Sequence, residues 1–297
     1  MKQYLDLLEN IIENGVCSDN RTKINTYSVF GTSLRHNLQE GFPLLTTKRM
    51  FFRGIVEELL FFLRGDTDTK ILSDKGIRIW EGNTTREFLD SRGLTTYPEG
   101  EMGVGYSWQW TNWGGTYEPY ISESSGVPGY EVHKEKNGIN QVKELIKTIR
   151  TNPNDRRMVV SAWNVSDLNR MALPPCHMMW QCYVKEGKLS LLWMQRSVDV
   201  GLGLGFNIAS YALLAHILAN ICDLEVGDLI FFGGDTHVYE NHIPPLLSQL
   251  TRKPYKLPSL QIKKNLSSYE DILNLEYKDF ELSNYQYHPS IKMNMAI

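Results

Sequence analysis

Cys176 is the residue whose surroundings in the sequence most suggest covalent chemistry. It comes directly after Leu173-Pro174-Pro175 and directly before a predicted strand. The two prolines restrict the backbone in front of it, so the cysteine is held in one place. A cysteine held in this way acts as a nucleophile when nearby cations lower the pKa of its thiol. Most free cysteines are instead buried apolar residues, so the sequence leaves both interpretations open.

Four arginines beside turns or strand ends could together bind a phosphate, because guanidinium groups hold phosphate through paired hydrogen bonds. Two of them are neighbours in the chain. In a regular strand such neighbours point to opposite faces, so they reach one anion only at an irregular end or across an interface. Each arginine taken alone is more often a solvated surface charge. The set is Arg21, Arg156, Arg157 and Arg196, with Ser197 next to the last.

Two polar side chains lie in apolar segments, where burying a polar group costs free energy unless it has a partner. Glu58, next to Glu57, falls in a predicted helix over 48–64 that is apolar on nearly every side. A buried carboxylate is costly unless it has a purpose or a partner. Asn207 falls in the first turn of another apolar helix. Its amide offers a donor and an acceptor, which complement N3–H and O4 of a pyrimidine.

A glycine-rich run at Asp199–Tyr211 superficially suggests dinucleotide binding. Its spacing is GxGxG rather than GxGxxG and no βαβ unit surrounds it, so we reject that interpretation. His237 and Tyr239 are two residues apart and share one face if the chain is extended there. His237 and His242 lack the spacing of a HExxH zinc motif, so no metal site is predicted.

Hydrophobic periodicity predicts the elements that position these residues. Residues 92–138 are predicted to be loop-rich, with an ordered aromatic block at Tyr106–Trp113 and a surface insertion at about 118–138. We expect one catalytic domain over 1–297, of α+β or mixed α/β class, with a mixed β-sheet covered by long helices. The predicted helices are 4–14 with Gly15 as C-cap, 48–64, Gln141–Arg150, Asn207–Ile221 and Tyr239–Leu250. The predicted strands are Tyr27–Leu34, Arg157–Trp163, Gln181–Val184 and Leu189–Gln195 around a turn at 185–188, Leu229–Phe232, and short strands within 258–283.

Composition excludes several classes of protein. The chain has 297 residues, a formal charge of −3, 42% hydrophobic and 22% charged residues, which is typical of a soluble globular protein. The near-neutral balance argues against a broad DNA-binding or RNA-binding face. Four scattered cysteines indicate neither a disulfide scaffold nor a structural zinc site. The first residues do not form a signal peptide, and the longest apolar stretches, Ile55–Leu63 and Ile208–Ile221, are too short and interrupted to span a bilayer. We therefore expect a cytoplasmic protein without membrane contact.

Taken together, these segments resemble the thymidylate synthase family from the first helix to the last residue. The most specific matches are Leu173–His177, Gln195–Tyr211, Gly234–His242 and the terminal His288-Pro289 … Ile291-Lys292-Met293 … Ala296-Ile297. The resemblance implies an enzyme that converts dUMP and 5,10-methylenetetrahydrofolate to dTMP and dihydrofolate without a metal. It also implies the thymidylate synthase fold and a homodimer that joins sheet to sheet.

The resemblance assigns roles to the nucleotide-side residues. Cys176 matches the cysteine that adds to C6 of the pyrimidine, and the arginines around it would favour its thiolate. Asn207 matches the amide that binds the uracil edge. The remaining matches bind the phosphate and the ribose hydroxyl: Arg21, Arg196 and Ser197 from one subunit, Arg156 and Arg157 from the partner, and His237 with Tyr239 for the ribose.

On the folate side, Glu58 matches the buried glutamate that controls the water network around O4 and the C5 proton, so we expect it to titrate near neutrality. Tyr106 matches a tyrosine beside this proton transfer, and Asp199 an acid that binds the pterin. The segment Met295–Ile297 matches a tail that closes over the ligands. The implied folate contacts are Trp80, Asn83, Asp199, Leu202, Gly203, Phe206 and Ala296.

Some positions differ from the usual family pattern. Gly205 replaces a proline, Thr236 replaces an alanine, and the loop Gly100–Thr111 carries several changes. The altered loop favours a pyrimidine hydroxymethylase of the same superfamily, in which water replaces the final hydride. The C-terminal tail and Trp80 favour the methylating enzyme, and Asn207 argues against a cytosine substrate. A protein that binds nucleotide or RNA without catalysis is the remaining alternative.

Overall fold

A six-stranded mixed sheet carries four of the nine predicted nucleotide-side residues, Arg196, Ser197, His237 and Tyr239. The computed structural model describes residues 1–122, 129–134 and 136–295, with the backbone alone for 118–122 and 129–134. The strands are β1 (Val16–Ser18), β2 (Thr26–Asn37), β3 (Tyr117–Ser122), β4 (Gly129–Lys134), β5 (Val159–Ser161), β6 (His177–Lys185), β7 (Lys188–Asp199), β8 (Glu225–Tyr239), β9 (Ser259–Ile262) and β10 (Phe280–Ser283). The main sheet has the order β1-β2-β8-β7-β6-β5, in which β7 and β8 are parallel and the other pairs antiparallel. The predicted mixed sheet is confirmed.

Helices cover one face of this sheet. They are α1 (Lys2–Asn14), α2 (Phe52–Arg64), α3 (Lys70–Ser73), α4 (Arg86–Ser91), α5 (Tyr106–Asn112), α6 (Gln141–Thr151), α7 (Gly205–Ile221), α8 (Ile243–Leu250) and α9 (Tyr269–Leu273). Helix α7 is apolar all round and packs on α2, β7 and β8, as expected of a central buried helix. A short π-helical turn, Val200–Leu204, joins β7 to α7. The site therefore lies where β7 turns into the core helix.

The predicted hairpin is confirmed. Strands β6 and β7 are joined at Glu186 and Gly187, whose φ angles of 51° and 71° are positive. Two successive left-handed residues match the right-handed twist of the strands in a two-residue turn. Gly15 also follows α1 as predicted, although in an extended conformation. A Cβ there would lie 2.4 Å from the carbonyl oxygen of Ile11, so this close approach requires glycine.

Several predicted boundaries were wrong. Residue Tyr239 ends strand β8, and the helix predicted from it begins only at Ile243, with prolines in its first turn. A proline fits the first turn because its missing N–H would have no intrahelical partner there. Leu229–Phe232 is only the middle of the fifteen-residue β8. Helix α2 begins four residues later than predicted, at Phe52, and β5 is shorter than the predicted strand.

Residues 92–138 were predicted to be loop-rich, but they contain one helix and most of a two-stranded hairpin. The ordered aromatic block is confirmed as helix α5, which is buried along its whole length. The predicted surface insertion includes the antiparallel hairpin of β3 and β4. Residues 123–128 and 135 of that insertion lie outside the described residues.

The second face of the main sheet is left uncovered by the described residues and carries exposed apolar side chains on β5, β6, β7 and β8. Met194 on β7 pairs with Phe232 on β8, and both side chains are exposed, Phe232 to 44%. Tyr183 on β6 is 60% exposed and Val159 on β5 is also exposed. A continuous apolar patch of large residues on a sheet is typical of a protein–protein interface.

By length and composition the segment Val200–Ile221 could cross a membrane, whereas the sequence predicted no membrane-spanning stretch. In its most apolar window, 72% of the residues are buried inside the protein, as in the core helix of a globular domain.

Candidate active site

Cys176 lies at the entry to β6, where its backbone is fixed from two sides. Its carbonyl oxygen accepts a hydrogen bond of 3.0 Å from the backbone N–H of Arg196 on β7. The Arg196 guanidinium donates to the carbonyl oxygens of Pro174 and Pro175, at 2.9 and 3.0 Å, and lies over the ring of Trp163. Arg196 therefore holds the Pro-Pro turn that presents the cysteine.

Tyr106, the first residue of α5, approaches the cysteine from the helical layer. Its hydroxyl oxygen accepts hydrogen bonds from the backbone N–H groups of Cys176 and His177, at 2.7 and 3.4 Å. Its ring stacks on Phe62 with centroids 5.0 Å apart. Burial raises the pKa of the Tyr106 hydroxyl well above its usual value, so the phenol keeps its proton. A hydrogen bond with the Tyr106 hydroxyl also lowers the pKa of the Cys176 thiol.

The electrostatics of Cys176 differ from the expectation. Burial raises the pKa of its thiol, while the charges of Arg196 and Arg21 and a hydrogen bond with Tyr106 lower it. The predicted cationic setting is present, but burial outweighs it in the single chain. Thiolate formation thus depends on positive charge that offsets the loss of solvation.

The two adjacent glutamates of α2 have different partners. Glu58 is buried and accepts a hydrogen bond of 2.9 Å from the indole N–H of Trp80. Burial raises the pKa of Glu58 to about 7, and the hydrogen bond from Trp80 partly opposes this. Glu57 instead forms an ion pair of 2.6 Å with Lys75. The prediction that Glu58 titrates near neutrality is supported, and a carboxyl with this pKa can both take up and release a proton.

Asn207 is oriented by a chain of side chains that the sequence analysis missed. The amide of Gln195 donates to Asn207 Oδ1 at 3.3 Å, and the indole N–H of Trp193 donates to Gln195 Oε1 at 2.9 Å. Burial lowers the pKa of His177 to about 4, and a hydrogen bond with Asn207 opposes this. His177 is therefore neutral. The signal for Gln195 was an amide at an inward position of β7, two residues after the buried Trp193.

His237 and Tyr239 share one face at the end of β8, as predicted for an extended chain. His237 bonds Asp235 at 2.8 Å through Nδ1, and its ring meets that of Tyr239 at 5.4 Å. Burial raises the pKa of Tyr239, the charges of Asp199 and Cys176 add to this, and the charge of Arg21 opposes it. The end of β8, the cysteine and Arg21 thus lie close together.

Comparison with known proteins agrees with this geometry. A family model described as "Thymidylate synthase" matches residues 2–297. The chain belongs to the thymidylate synthase family. It is 48% identical to bifunctional dihydrofolate reductase-thymidylate synthases of Paramecium tetraurelia and Daucus carota, over 99% of this chain but only 61% and 53% of theirs. It is 46% identical to the thymidylate synthase of Homo sapiens, over 99% of this chain and 90% of the human one. The chain therefore spans about half to three fifths of the bifunctional relatives.

Asp199 is the best-defined of the folate contacts expected in a member of the thymidylate synthase family. Its Oδ1 accepts hydrogen bonds from the backbone N–H groups of Gly201 and Leu202, at 2.9 and 3.2 Å. Within the described part of the chain, Oδ2 accepts no hydrogen bond, so it remains available to a ligand N–H. Gly203 lies beside Asn207, since a Cβ there would be 3.6 Å from Asn207 Oδ1.

For the other expected folate contacts, the structure gives burial and position in the fold. Trp80 and Asn83 are buried on the segment after α3, and Phe206 is half-buried in the first turn of α7. Ala296 lies outside the described residues. Among the residues that the structure describes, no group of three or more His, Cys, Asp or Glu side chains could hold a metal ion.

Arg156 and Arg157 are not brought to Cys176 within one chain. Both are exposed just before β5, and Arg157 pairs with Asp155 of its own chain at 2.8 Å. Arg21 and Arg196 are the arginines whose charges act on the cysteine. The single chain thus assembles half of the predicted phosphate arginines.

Proposed function

We propose that the protein converts dUMP and 5,10-methylenetetrahydrofolate to dTMP and dihydrofolate. The observation that carries the proposal is the link between three predicted catalytic groups through Tyr106 and His177. Tyr106 binds the backbone of Cys176 and lies within electrostatic reach of Glu58, while His177 contacts Tyr106 and bonds Asn207. A nucleophile, a proton carrier and a pyrimidine-binding amide thereby face one site.

Substrate binding follows from the donors that remain free. Arg196 uses Nε and one terminal nitrogen on the proline carbonyls, and a guanidinium has five N–H groups, so others can reach a phosphate. Arg21, whose charge acts on Cys176, and Ser197, the neighbour of Arg196 on β7, are expected to add further donors. His237 and Tyr239 face the ribose hydroxyl, and Asn207, held by Gln195, binds the uracil edge.

The covalent step is assigned to Cys176. The thiol passes its proton to solvent, its sulfur bonds C6 of the uracil, and the π-electron pair of the C5=C6 double bond moves towards C5 and O4. C5 then bonds the methylene carbon of the folate, whose bond to nitrogen breaks, and C5 gives up its proton. Methylenetetrahydrofolate supplies the one-carbon unit and the hydride that completes the methyl group. Glu58, with a pKa of about 7, accepts and returns the protons at O4 and C5, and the C6–S bond breaks when the product leaves.

The folate is expected to lie against Trp80 and Asn83, with Asp199 Oδ2 facing a ring N–H. The fit rests on that free carboxylate oxygen, because Oδ1 is already occupied by two backbone donors. The family comparisons name thymidylate synthases and do not favour the hydroxymethylase alternative.

The decisive experiment incubates the protein with dUMP and methylenetetrahydrofolate. Dihydrofolate is followed by absorbance and the nucleotide product is weighed by mass spectrometry. We expect dihydrofolate and dTMP to form in equal amounts. Hydroxymethyl-dUMP together with unoxidised tetrahydrofolate would overturn the proposal, and so would dUMP binding without turnover.

We further propose a homodimer that joins through the uncovered sheet face, with Arg156 and Arg157 entering the partner's site. Val159, exposed on that face, follows Arg157 by two residues, so the arginines stand at the edge of the patch. A partner sheet covering the patch would bring these two charges towards a second active site, where they would help to offset the burial of its cysteine. The unpaired cysteines agree with a cytoplasmic location.

Subunit mixing tests the shared site. Cys176→Ser and the double variant Arg156→Ala/Arg157→Ala are each expected to be nearly inactive. After mixing and subunit exchange, activity should rise to about a quarter of wild type, because half of the dimers are hybrids with one complete site of two. Arginines acting within their own chain would give no recovery, and that result would contradict the shared site.

Asn207→Asp tests the uracil assignment. A carboxylate only accepts hydrogen bonds, so it repels O4 of uracil and accepts from the amino group of cytosine. We expect the ratio of kcat/KM for dUMP over dCMP to fall by about 10- to 100-fold. The check is competition between the two nucleotides, with dissociation constants measured in parallel. Unchanged discrimination would remove Asn207 from this role.

A further inference from the structure

His242 is a buried side chain that the proposed mechanism does not use. It lies in the turn between β8 and α8 and is 1% exposed. Its Nε2 is 2.7 Å from the backbone carbonyl oxygen of Asn294, which precedes the C-terminal tail. Because a carbonyl oxygen only accepts, Nε2 carries the proton and donates it.

The other side of the ring faces the turn that holds Asp199. A Cβ on Gly201 would lie 3.0 Å from His242 Nδ1 and 3.3 Å from Asp199 Oδ1, so the imidazole contacts the turn closely. Nδ1 is buried and has no hydrogen-bond partner among the described residues. The edge of the ring also packs against Tyr239, with centroids 5.5 Å apart.

His242 thus connects three parts of the site through one rigid ring. The ring bonds Asn294 in the C-terminal segment and contacts Gly201, whose backbone N–H binds Asp199. It also packs on Tyr239 at the end of β8. Donation from Nε2 to Asn294 is the one hydrogen bond that this ring makes in the described structure. The ring can therefore fix the distance between the tail and the Asp199 turn.

We propose that His242 is a positioning residue that holds the C-terminal segment against the Asp199 turn and thereby sets the affinity for the folate co-substrate. This inference rests on the proposed function. It predicts that weakening the His242–Asn294 bond acts on folate binding more than on dUMP binding, since the phosphate and uracil contacts come from Arg21, Arg196 and Asn207. The ring contact of His242 with Tyr239 is lost equally in the two variants compared below.

The test compares His242→Asn with His242→Gln. The glutamine amide reaches as far as Nε2 and can donate to the Asn294 carbonyl, whereas the shorter asparagine amide cannot. We expect His242→Asn to raise KM for methylenetetrahydrofolate by about tenfold, with kcat and the dUMP dissociation constant changed by less than about threefold. His242→Gln should recover most of the loss. Equal effects of the two variants, or an unchanged KM in His242→Asn, would overturn the proposal.

His288→Asn is the matched control. His288 also bonds a backbone carbonyl, that of Lys253 at 2.9 Å, and lies in the same C-terminal segment, but it stacks on Tyr255 rather than on the Asp199 turn. Its loss should leave KM for the folate unchanged. A rise equal to that of His242→Asn would show a general loosening of the segment and overturn the positioning role.

Two further measurements test the role of His242 even if His242→Asn fails to fold or the proposed function is wrong. Gly201→Ala pushes on the ring from the opposite side and should raise the same KM even if His242→Asn does not fold; an unchanged KM would contradict the inference. Hydrogen exchange of the peptide containing Asn294, measured without ligands, should be faster in His242→Asn than in wild type or His242→Gln. An inactive wild type with this exchange pattern would overturn the proposed function and leave the His242–Asn294 connection standing.

Discussion

Cys176→Ser is expected to lower kcat by at least about 10⁴-fold while dUMP still binds. A serine hydroxyl keeps its proton at neutral pH far more strongly than a thiol does, and the burial that already raises the pKa of Cys176 opposes an alkoxide further. The phosphate and uracil contacts come from Arg21, Arg196 and Asn207, so the dUMP dissociation constant should change by less than about threefold. Steady-state turnover and calorimetric titration with dUMP measure the two quantities.

Cys17→Ser is the control for this change. Cys17 is an exposed cysteine on β1, away from the Pro-Pro turn. Its replacement should leave turnover unchanged. Mass spectrometry of the wild-type protein trapped with a C5-substituted dUMP analogue should place the adduct on the peptide containing Cys176. Near-normal turnover in Cys176→Ser, or an adduct elsewhere, would remove Cys176 from its assigned role.

Glu58→Gln is expected to lower kcat by about 10²- to 10⁴-fold, the usual contribution of a positioned acid–base group. The amide keeps the shape of the side chain and can still accept the indole N–H of Trp80, so only the titrating proton is lost. In the wild type, kcat should change with pH around the Glu58 pKa of about 7. The variant should lose this dependence between pH 6 and 8. A pH profile that is identical in both proteins would contradict the assignment.

The same substitution should stabilise the fold at high pH. The Glu58 pKa is raised from 4.5 to about 7, so the unfolded carboxyl ionises first as the pH rises. The folded state binds more protons in this window, and the free energy of unfolding therefore falls between about pH 4.5 and 7, by roughly 3 kcal/mol in total. Glu58→Gln removes that loss, so it should exceed the wild type in stability at pH 8 and match it near pH 4. Denaturant unfolding at the two pH values measures this.

Glu57→Gln is the matched control on the same helix. Glu57 pairs with Lys75 and does not contact Trp80, so its replacement should retain turnover. Losing the charge-assisted hydrogen bond should lower the free energy of unfolding by about 1–3 kcal/mol. The two neighbouring glutamates are thus expected to show opposite effects at pH 8. Glu58→Gln should lower turnover and raise stability, whereas Glu57→Gln should retain turnover and lower stability.

The elements that the sequence predicted well are those with a strong local cause. The turn at Glu186-Gly187 needs two left-handed residues, and the long apolar run of α7 can only be buried. The end of β8 was misjudged because Tyr239, Ile243 and Leu246 follow the i, i+4, i+7 spacing of a helix, although Glu240–His242 form a separate 3₁₀ turn. Pro244 and Pro245 mark the true start of α8, because proline is tolerated in the first turn of a helix but breaks its interior.

For the site, the sequence by itself determined the residue types: a cysteine behind two prolines, a glutamate in an apolar helix and an amide at a helix start. Only the tertiary structure decided how they act. The parallel pairing of β7 with β8 sets Asp199 beside His237, and Tyr106 reaches Cys176 across 70 positions of chain. The balance at the Cys176 thiol, where burial outweighs two arginines, also depends on three-dimensional placement. Desolvation and Coulomb interactions act through distance in space, so sequence spacing alone cannot give their sum.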